Sequence, residues 1–175
     1  TIATREWHDF GEDGRDRGII ADGIYEFDGI LYNIVDGKHQ QGLTKVEDDY
    51  YFFKYSGDVI KDQKYYAYKT NCDLPCSNYE FGPDGKMLQG IVERDGEMLY
   101  FVNGKFAECG MLKEADGDYY YVYWEGVVKT GKQYVVRTNC DLPVGNYEFG
   151  DDGKLLQGAV EKEDGIYYYV NGKLA

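Results

Sequence analysis

Apolar and polar positions alternate along this chain in short runs: "EMLYFV" from Glu97, "DYYYVYW" from Asp118, "QYVVRT" from Gln133 and "IYYYV" from Ile166. Such runs of aromatic and β-branched residues suit strands, whose successive side chains point to opposite faces. Between them stand Asp-Gly pairs at 13–14, 22–23, 28–29, 36–37, 84–85, 95–96, 116–117, 152–153 and 164–165, and Asn-Gly at 103–104 and 171–172. These pairs are strong hairpin signals, because both central residues of a type I′ turn need positive φ. No segment shows helical periodicity or a helix cap. The pattern predicts an all-β chain of short hairpins. None can bury its aromatic face alone, so hairpin stacks on hairpin as in a solenoid.

The chain also repeats itself. "TNCDLPCSNYEFGPDGKMLQGIVE" begins at Thr70 and "TNCDLPVGNYEFGDDGKLLQGAVE" at Thr138, with Asn71 and Asn139 separated by 139 − 71 = 68. At the same offset "GLTKVEDDYYFFKYSG" from Gly42 meets "GMLKEADGDYYYVYWEG" from Gly110, which aligns Tyr51, Phe53 and Tyr55 with Tyr119, Tyr121 and Tyr123. A one-residue slip is expected at the Asp95-Gly96 and Asp164-Gly165 turns, with the offset restored at Asn103 and Asn171. "HDFGEDGR" from His8 is a worn copy of "YEFGPDGK" from Tyr79. One repeat domain, 1–175, follows: a partial repeat at 1–29, full periods at 30–97 and 98–165, and a terminal hairpin at 166–175. Each hairpin takes about 20–24 residues within the 68-residue period.

Composition narrows the classes. The 175 residues include 19 Tyr and 23 Gly but only 3 Pro, and the net charge is −13. That charge argues against nucleic acid, whose affinity rests on Lys and Arg, and against anionic lipid. No run is long and apolar enough for a bilayer and no signal peptide is visible; a start in mid-pattern at Thr1 fits a mature or excised fragment.

Chemistry is sparse. Cys72, Cys76, Cys109 and Cys140 lack zinc-knuckle spacing and read as core-filling thiols or at most one bridge. The acids near Asp141, Asp151 and Glu114–Asp118 lack the ladder of a calcium loop and read as turn residues. His8 and His39 are the only histidines and Ser56 and Ser77 the only serines, so no catalytic triad is persuasive; a Cys109–His39 pair has no local motif. Catalytic residues, metal and cofactor are each expected to be none.

The cadence "GMLKEADGDYYYVYWEGVVKTGKQYVVRTNCDLPVGNYEFGDDGKLLQG" resembles the cell-wall-binding repeats of Gram-positive surface proteins, which include choline-binding and glucan-binding repeats. It is most similar to the long variant in surface proteins of gut clostridia. The resemblance covers the chain from about Gly18. It implies a β-hairpin solenoid, extracellular display and a non-catalytic binding or spacer role. Choline-binding repeats place a tryptophan after the first glycine, where stacked hairpins pool rings into a cage. Here those positions are Leu43, Ile91, Met111 and Ala159, so the choline site is not carried over.

Strand alternation assigns Tyr119, Tyr121 and Tyr123 to the core face, and Tyr120, Val122 and Trp124 to the exposed one. Trp124, Tyr120, Tyr100 and Tyr168 are the candidate ligand-binding residues, a platform for the C–H faces of sugar rings. The expected function is a secreted or surface-attached module that binds cell-wall or extracellular polysaccharide. The alternative is a spacer or protein-interaction stalk, a monomer or one that associates end to end. The exposed face varies between copies in this alignment, which favours the spacer and directs the search for a ligand to the face that repeats least.

Overall fold

The computed structural model describes residues 6–175. Nineteen short strands follow one another among the described residues: β1 His8–Phe10, β2 Asp16–Ile19, β3 Gly23–Phe27, β4 Ile30–Val35, β5 Lys38–His39, β6 Gly42–Val46, β7 Asp49–Phe53, β8 Gln63–Ala67, β9 Ser77–Phe81, β10 Gly90–Arg94, β11 Glu97–Val102, β12 Lys105–Phe106, β13 Gly110–Lys113, β14 Tyr119–Val122, β15 Gly131–Val135, β16 Gly145–Phe149, β17 Gly158–Lys162, β18 Gly165–Val170 and β19 Lys173–Leu174. A 3₁₀ turn, Trp124–Gly126, separates β14 from β15. The fold is an all-β hairpin-repeat solenoid, each strand pairing antiparallel with a sequence neighbour. The described residues divide into two compact units, those up to Leu88 with 103–105 and those from 89–102 with 106–175.

The turn chemistry explains the hairpins. At Asp28-Gly29, Asp36-Gly37, Asp95-Gly96, Asn103-Gly104 and Asn171-Gly172 both residues have positive φ, as a type I′ turn requires. Hairpin spacing is uneven. β6, β8 and β10 open at residues 42, 63 and 90, so a step of 63 − 42 = 21 is followed by one of 90 − 63 = 27. The long step carries the "TNCDLP" loop between β8 and β9, and recurs between β15 and β16.

In the first unit, Leu43, Phe52, Ile60, Ala67, Tyr79, Phe81 and Met87 form one buried cluster. In the second, Met111, Tyr119, Tyr121, Val135, Tyr147, Phe149 and Leu155 form its counterpart. A further cluster of the second unit gathers Tyr100, Ala107, Tyr120, Val122 and Val128. The strand β14 is therefore buried on both faces, Tyr119 and Tyr121 in one cluster and Tyr120 and Val122 in the other.

That arrangement corrects the expected faces and register. Gly42 pairs with Phe53 and Leu43 with Phe52, whereas Gly110 pairs with Val122 and Met111 with Tyr121. Phe52 is thus equivalent to Tyr121, and the offset in this strand is 121 − 52 = 69. The extra residue lies in the turn: four residues separate the paired Lys45 and Tyr50, and five separate Lys113 and Tyr119. The offset returns to 68 at Gln63 and Gly131, opposite Phe81 and Phe149. The expected slip at Asp95-Gly96 is absent, since Arg94↔Glu97 and Lys162↔Gly165 keep the 68-residue spacing.

The "TNCDLP" segment is a corner. Asn71 N–H donates to the Leu43 carbonyl at 2.7 Å, and Asn139 N–H to the Met111 carbonyl at 2.7 Å. The Tyr79 hydroxyl donates to the Pro75 carbonyl at 2.7 Å, and Tyr147 to Pro143 at 2.6 Å. Cys72 and Cys140 are half-buried beside the two equivalent clusters, Cys109 is half-buried and Cys76 exposed, and all four thiols are free.

Candidate functional site

The 69-residue offset brings a second relationship into view. Tyr55 and Trp124 occupy the same turn, since Lys54 and Tyr123 each donate a backbone N–H to the residue four positions on, Asp58 and Val127, at 2.8 Å. Both aromatic side chains project into solvent, Tyr55 at 81 % exposure and Trp124 at 70 %. Trp124 is thus placed as expected on the surface, its ring 6.3 Å from that of Tyr123.

The other candidates divide. Tyr120 is 6 % exposed and Tyr100 2 %, and their rings pack 5.6 Å apart inside the third cluster. They are not a platform beside Trp124, because β14 has no free face. Tyr168 is exposed, and its position matches that of Tyr100: each carbonyl accepts the backbone N–H of the residue seven places on, Ala175 and Ala107.

The hairpins β8–β9 and β15–β16 carry residues that the sequence reading passed over. On the outer face of β8–β9, Lys64 stands opposite Glu80 and Tyr66 opposite Asn78. On β15–β16, Lys132 stands opposite Glu148 and Tyr134 opposite Asn146. All four residue types are identical in the two copies. On the inner face of the same hairpins Tyr79 and Phe81 recur as Tyr147 and Phe149, while Tyr65, Ala67 and Ser77 become Gln133, Val135 and Gly145. Tyr66 is 54 % exposed and Tyr134 61 %. These four outward-facing positions repeat as faithfully as the buried Tyr79 and Phe81, which reverses the expectation of a variable outer face. The signal was present at the 68-residue offset, but which residues share the face depends on pairing across a nine-residue loop.

In the second unit this outer face forms one wall of an open cleft of about 930 Å³. The opposite wall comes from β17–β19, through Lys162, Asp164, Tyr167 and Tyr169. Glu148 is the fixed point between them. Lys162 donates to its Oε1 at 2.5 Å and the Tyr169 hydroxyl to its Oε2 at 2.9 Å. Those two hydrogen bonds, the lysine's first, hold the Glu148 carboxyl below its ordinary value of 4.5 against the opposing effect of burial. Lys162 is pushed upward by its hydrogen bond to Glu148 and then by the Tyr169 hydroxyl beside it, so it remains a cation. Lys162 also lies 5.1 Å from the Tyr169 ring and 5.7 Å from that of Tyr167, whose hydroxyl donates to Asp164 at 2.8 Å. Lys173 lies 5.0 Å over the Tyr147 ring.

The backbone seats the wall. Glu148 N–H donates to the Gly172 carbonyl at 2.8 Å, and Gly172 N–H to Leu156 at 2.9 Å. Gly172 has φ +66, and a Cβ there would lie 2.3 Å from Leu155 Cδ1, so a larger residue would strain the backbone and push Leu155 aside.

One further aromatic group fills its own space. Trp7, Phe27 and Tyr32 pack with centroids 4.7, 5.3 and 6.2 Å apart, leaving no gap for a quaternary ammonium among them. At the positions where choline-binding repeats carry tryptophan, Leu43 and Met111 are fully buried core residues. The His8 ring is paired with Asp16 at 2.9 Å, and His39 contacts the Tyr55 carbonyl at 3.2 Å. His39 and Cys109 belong to different units. Among the described residues no group of three His, Cys, Asp or Glu is arranged to hold a metal ion.

No family model matches the chain. A stretch of 95 residues is 30% identical to Glucosyltransferase-S of Streptococcus mutans, covering 52% of this chain and 6% of that protein. Among solved structures, choline binding protein F of Streptococcus pneumoniae aligns over 90% of this chain and 52% of its own, with 22% identity and a TM-score of 0.47. Alternansucrase in complex with isomaltotriose aligns over 84% of this chain and 11% of its own, with 18% identity and a TM-score of 0.45. The chain resembles the cell-wall-binding repeat family, the choline-binding-like hairpin repeats of Gram-positive surface proteins. It spans a small fraction of the curated relative and about half of the pneumococcal protein.

Proposed function

We propose that this chain is a non-catalytic extracellular repeat module that binds cell-wall or extracellular polysaccharide. The observation that carries the reading is the outer-face set Lys64, Tyr66, Asn78 and Glu80, repeated residue for residue as Lys132, Tyr134, Asn146 and Glu148. A side chain kept for packing is kept where it is buried. Here four outward-facing residues are kept as faithfully as the buried Tyr79 and Phe81, which recur as Tyr147 and Phe149. Exposed tyrosine beside an amide and a Lys–Glu pair suits a sugar, offering a ring face for C–H groups and donors and acceptors for hydroxyls. The 30% identity to part of a glucosyltransferase supports a carbohydrate setting.

The alternative is a spacer or protein-interaction stalk without sugar binding. It draws on the burial of Tyr100 and Tyr120, which removes half of the expected platform. Co-sedimentation with purified Gram-positive cell wall and with insoluble glucan separates the two. A binding module is retained saturably and loses retention when Tyr66 and Tyr134 are both changed to alanine. A spacer is not retained by either material.

A further inference from the structure

We infer that the cleft between β15–β16 and the terminal hairpin is a preformed subsite for a neutral oligosaccharide of two to three pyranose units, seated on Tyr134. The inference rests on the polysaccharide-binding reading and assigns it a place, a size class and a charge preference.

The cleft is preorganised. Its floor is the Glu148 carboxylate, which Lys162 and Tyr169 hold from the same side, and the Gly172 turn is locked to Glu148 and Leu156 through the backbone. A ligand entering such a site orders few side chains, so less of the contact energy is lost to entropy. Its volume of about 930 Å³ exceeds that of one sugar ring and lies at the upper end for a small-ligand site.

Tyr134 supplies the stacking face. It stands on the cleft wall with its ring largely in solvent, and Asn146 directly across the strand pair places an amide beside it. Lys132 and Glu148 form the next rung of that face, and Asp164 with the Tyr167 hydroxyl stands opposite. Hydroxyl groups both donate and accept, and this lining offers both functions on each wall.

Charge selects for neutrality. The lining carries Lys132, Lys162 and Lys173 against Glu148 and Asp164, so opposite charges nearly cancel within it. Lys162 is committed to Glu148, and Lys173 lies over Tyr147. A cation meets no open aromatic cage here, and a polyanion meets a chain of net charge −13. The site also lies away from Ala159, where a choline-binding repeat would carry tryptophan. Ala159 pairs with Tyr168, on the side of β17–β18 opposite Tyr167 and Tyr169.

The test uses the full chain, with calorimetry and amide NMR against neutral trisaccharides of α- and β-linked glucose and against a uronic-acid trisaccharide. The expected result is saturable binding of a neutral trisaccharide with shifts at Tyr134, Asn146 and Glu148, and weaker binding of the acidic one. Tyr134→Ala is expected to lower affinity at least tenfold and Tyr134→Phe less than threefold, because the ring face and not the hydroxyl carries the contact. Circular dichroism checks that each variant is folded. If the chain still binds polysaccharide but Tyr134→Ala leaves neutral-trisaccharide binding unchanged, the cleft assignment falls and the binding function stands. If the unaltered chain binds neither oligosaccharide nor polysaccharide, both fall.

Discussion

Phe52 and Tyr121 hold the same place in their hairpins although they lie 69, not 68, residues apart. Each sits across its strand pair from the buried residue after the first glycine, Leu43 or Met111, and each belongs to the central cluster of its unit. This equivalence moves Tyr55 out of the core and into register with Trp124. Changing Phe52 to alanine is expected to cost about 3–5 kcal/mol, the range for deleting a fully buried aromatic ring. Tyr55→Ala should change stability by less than about 0.5 kcal/mol, as exposed positions do. Urea denaturation of the two variants checks the register directly, since the 68-residue alignment predicts that Tyr55 is the costly one.

The repeated corner makes a paired prediction. Tyr79→Phe and Tyr147→Phe each remove one hydroxyl that donates to a proline carbonyl, at 2.7 and 2.6 Å. Each is expected to lose about 0.5–1.5 kcal/mol, the net worth of an ordinary hydrogen bond. Chemical denaturation should find the two losses alike, because the two corners are built alike.

Gly172→Ala forces a side chain into positive φ and into Leu155. A loss of roughly 1–3 kcal/mol is expected from the backbone conformation alone. Thermal unfolding should fall accordingly, and the shifts that report Glu148 should move with it, since Gly172 accepts the Glu148 N–H.

The cleft floor should respond to acid. Glu148 is held below 4.5, chiefly by the hydrogen bond from Lys162 and then by that from Tyr169. A depressed carboxyl contributes stability that is present above the unfolded pKa and lost as pH falls through the lower folded one. The contribution of this group is therefore complete at pH 6, begins to fall near pH 4.5 and is gone only below the folded value. Glu148→Gln should be less stable than the parent at pH 6, and the gap should narrow on acidification. Guanidinium melts between pH 3 and pH 7 measure it.

Much of this architecture was legible in the residues. Asp-Gly and Asn-Gly pairs marked the turns, and alternation marked the strands. The register of β14 was not legible, for a physical reason: Tyr119, Tyr120 and Tyr121 are identical, so a shift by one residue leaves the pattern intact. Alternation also distinguishes two faces without revealing whether both are covered, which is why Tyr120 read as exposed. Trp124 was expected at the surface as the end of a strand face, whereas it reaches solvent from the 3₁₀ turn that follows β14. Tyr134 was missed because its neighbours on the outer face, Asn146 and Glu148, come from a strand beyond the loop, and no local spacing marks them as companions.

The one-residue difference between the two copies has a practical consequence. It resides in the bend joining β13 to β14, and a further residue near Lys61–Asp62 restores the spacing, so both strand pairs keep their inward side chains. Evolution has in effect carried out a length-tolerance experiment at residues 114–118. That bend is an attachment point for a fluorophore or an affinity tag, where added chain leaves the packing phase of the neighbouring strands unchanged.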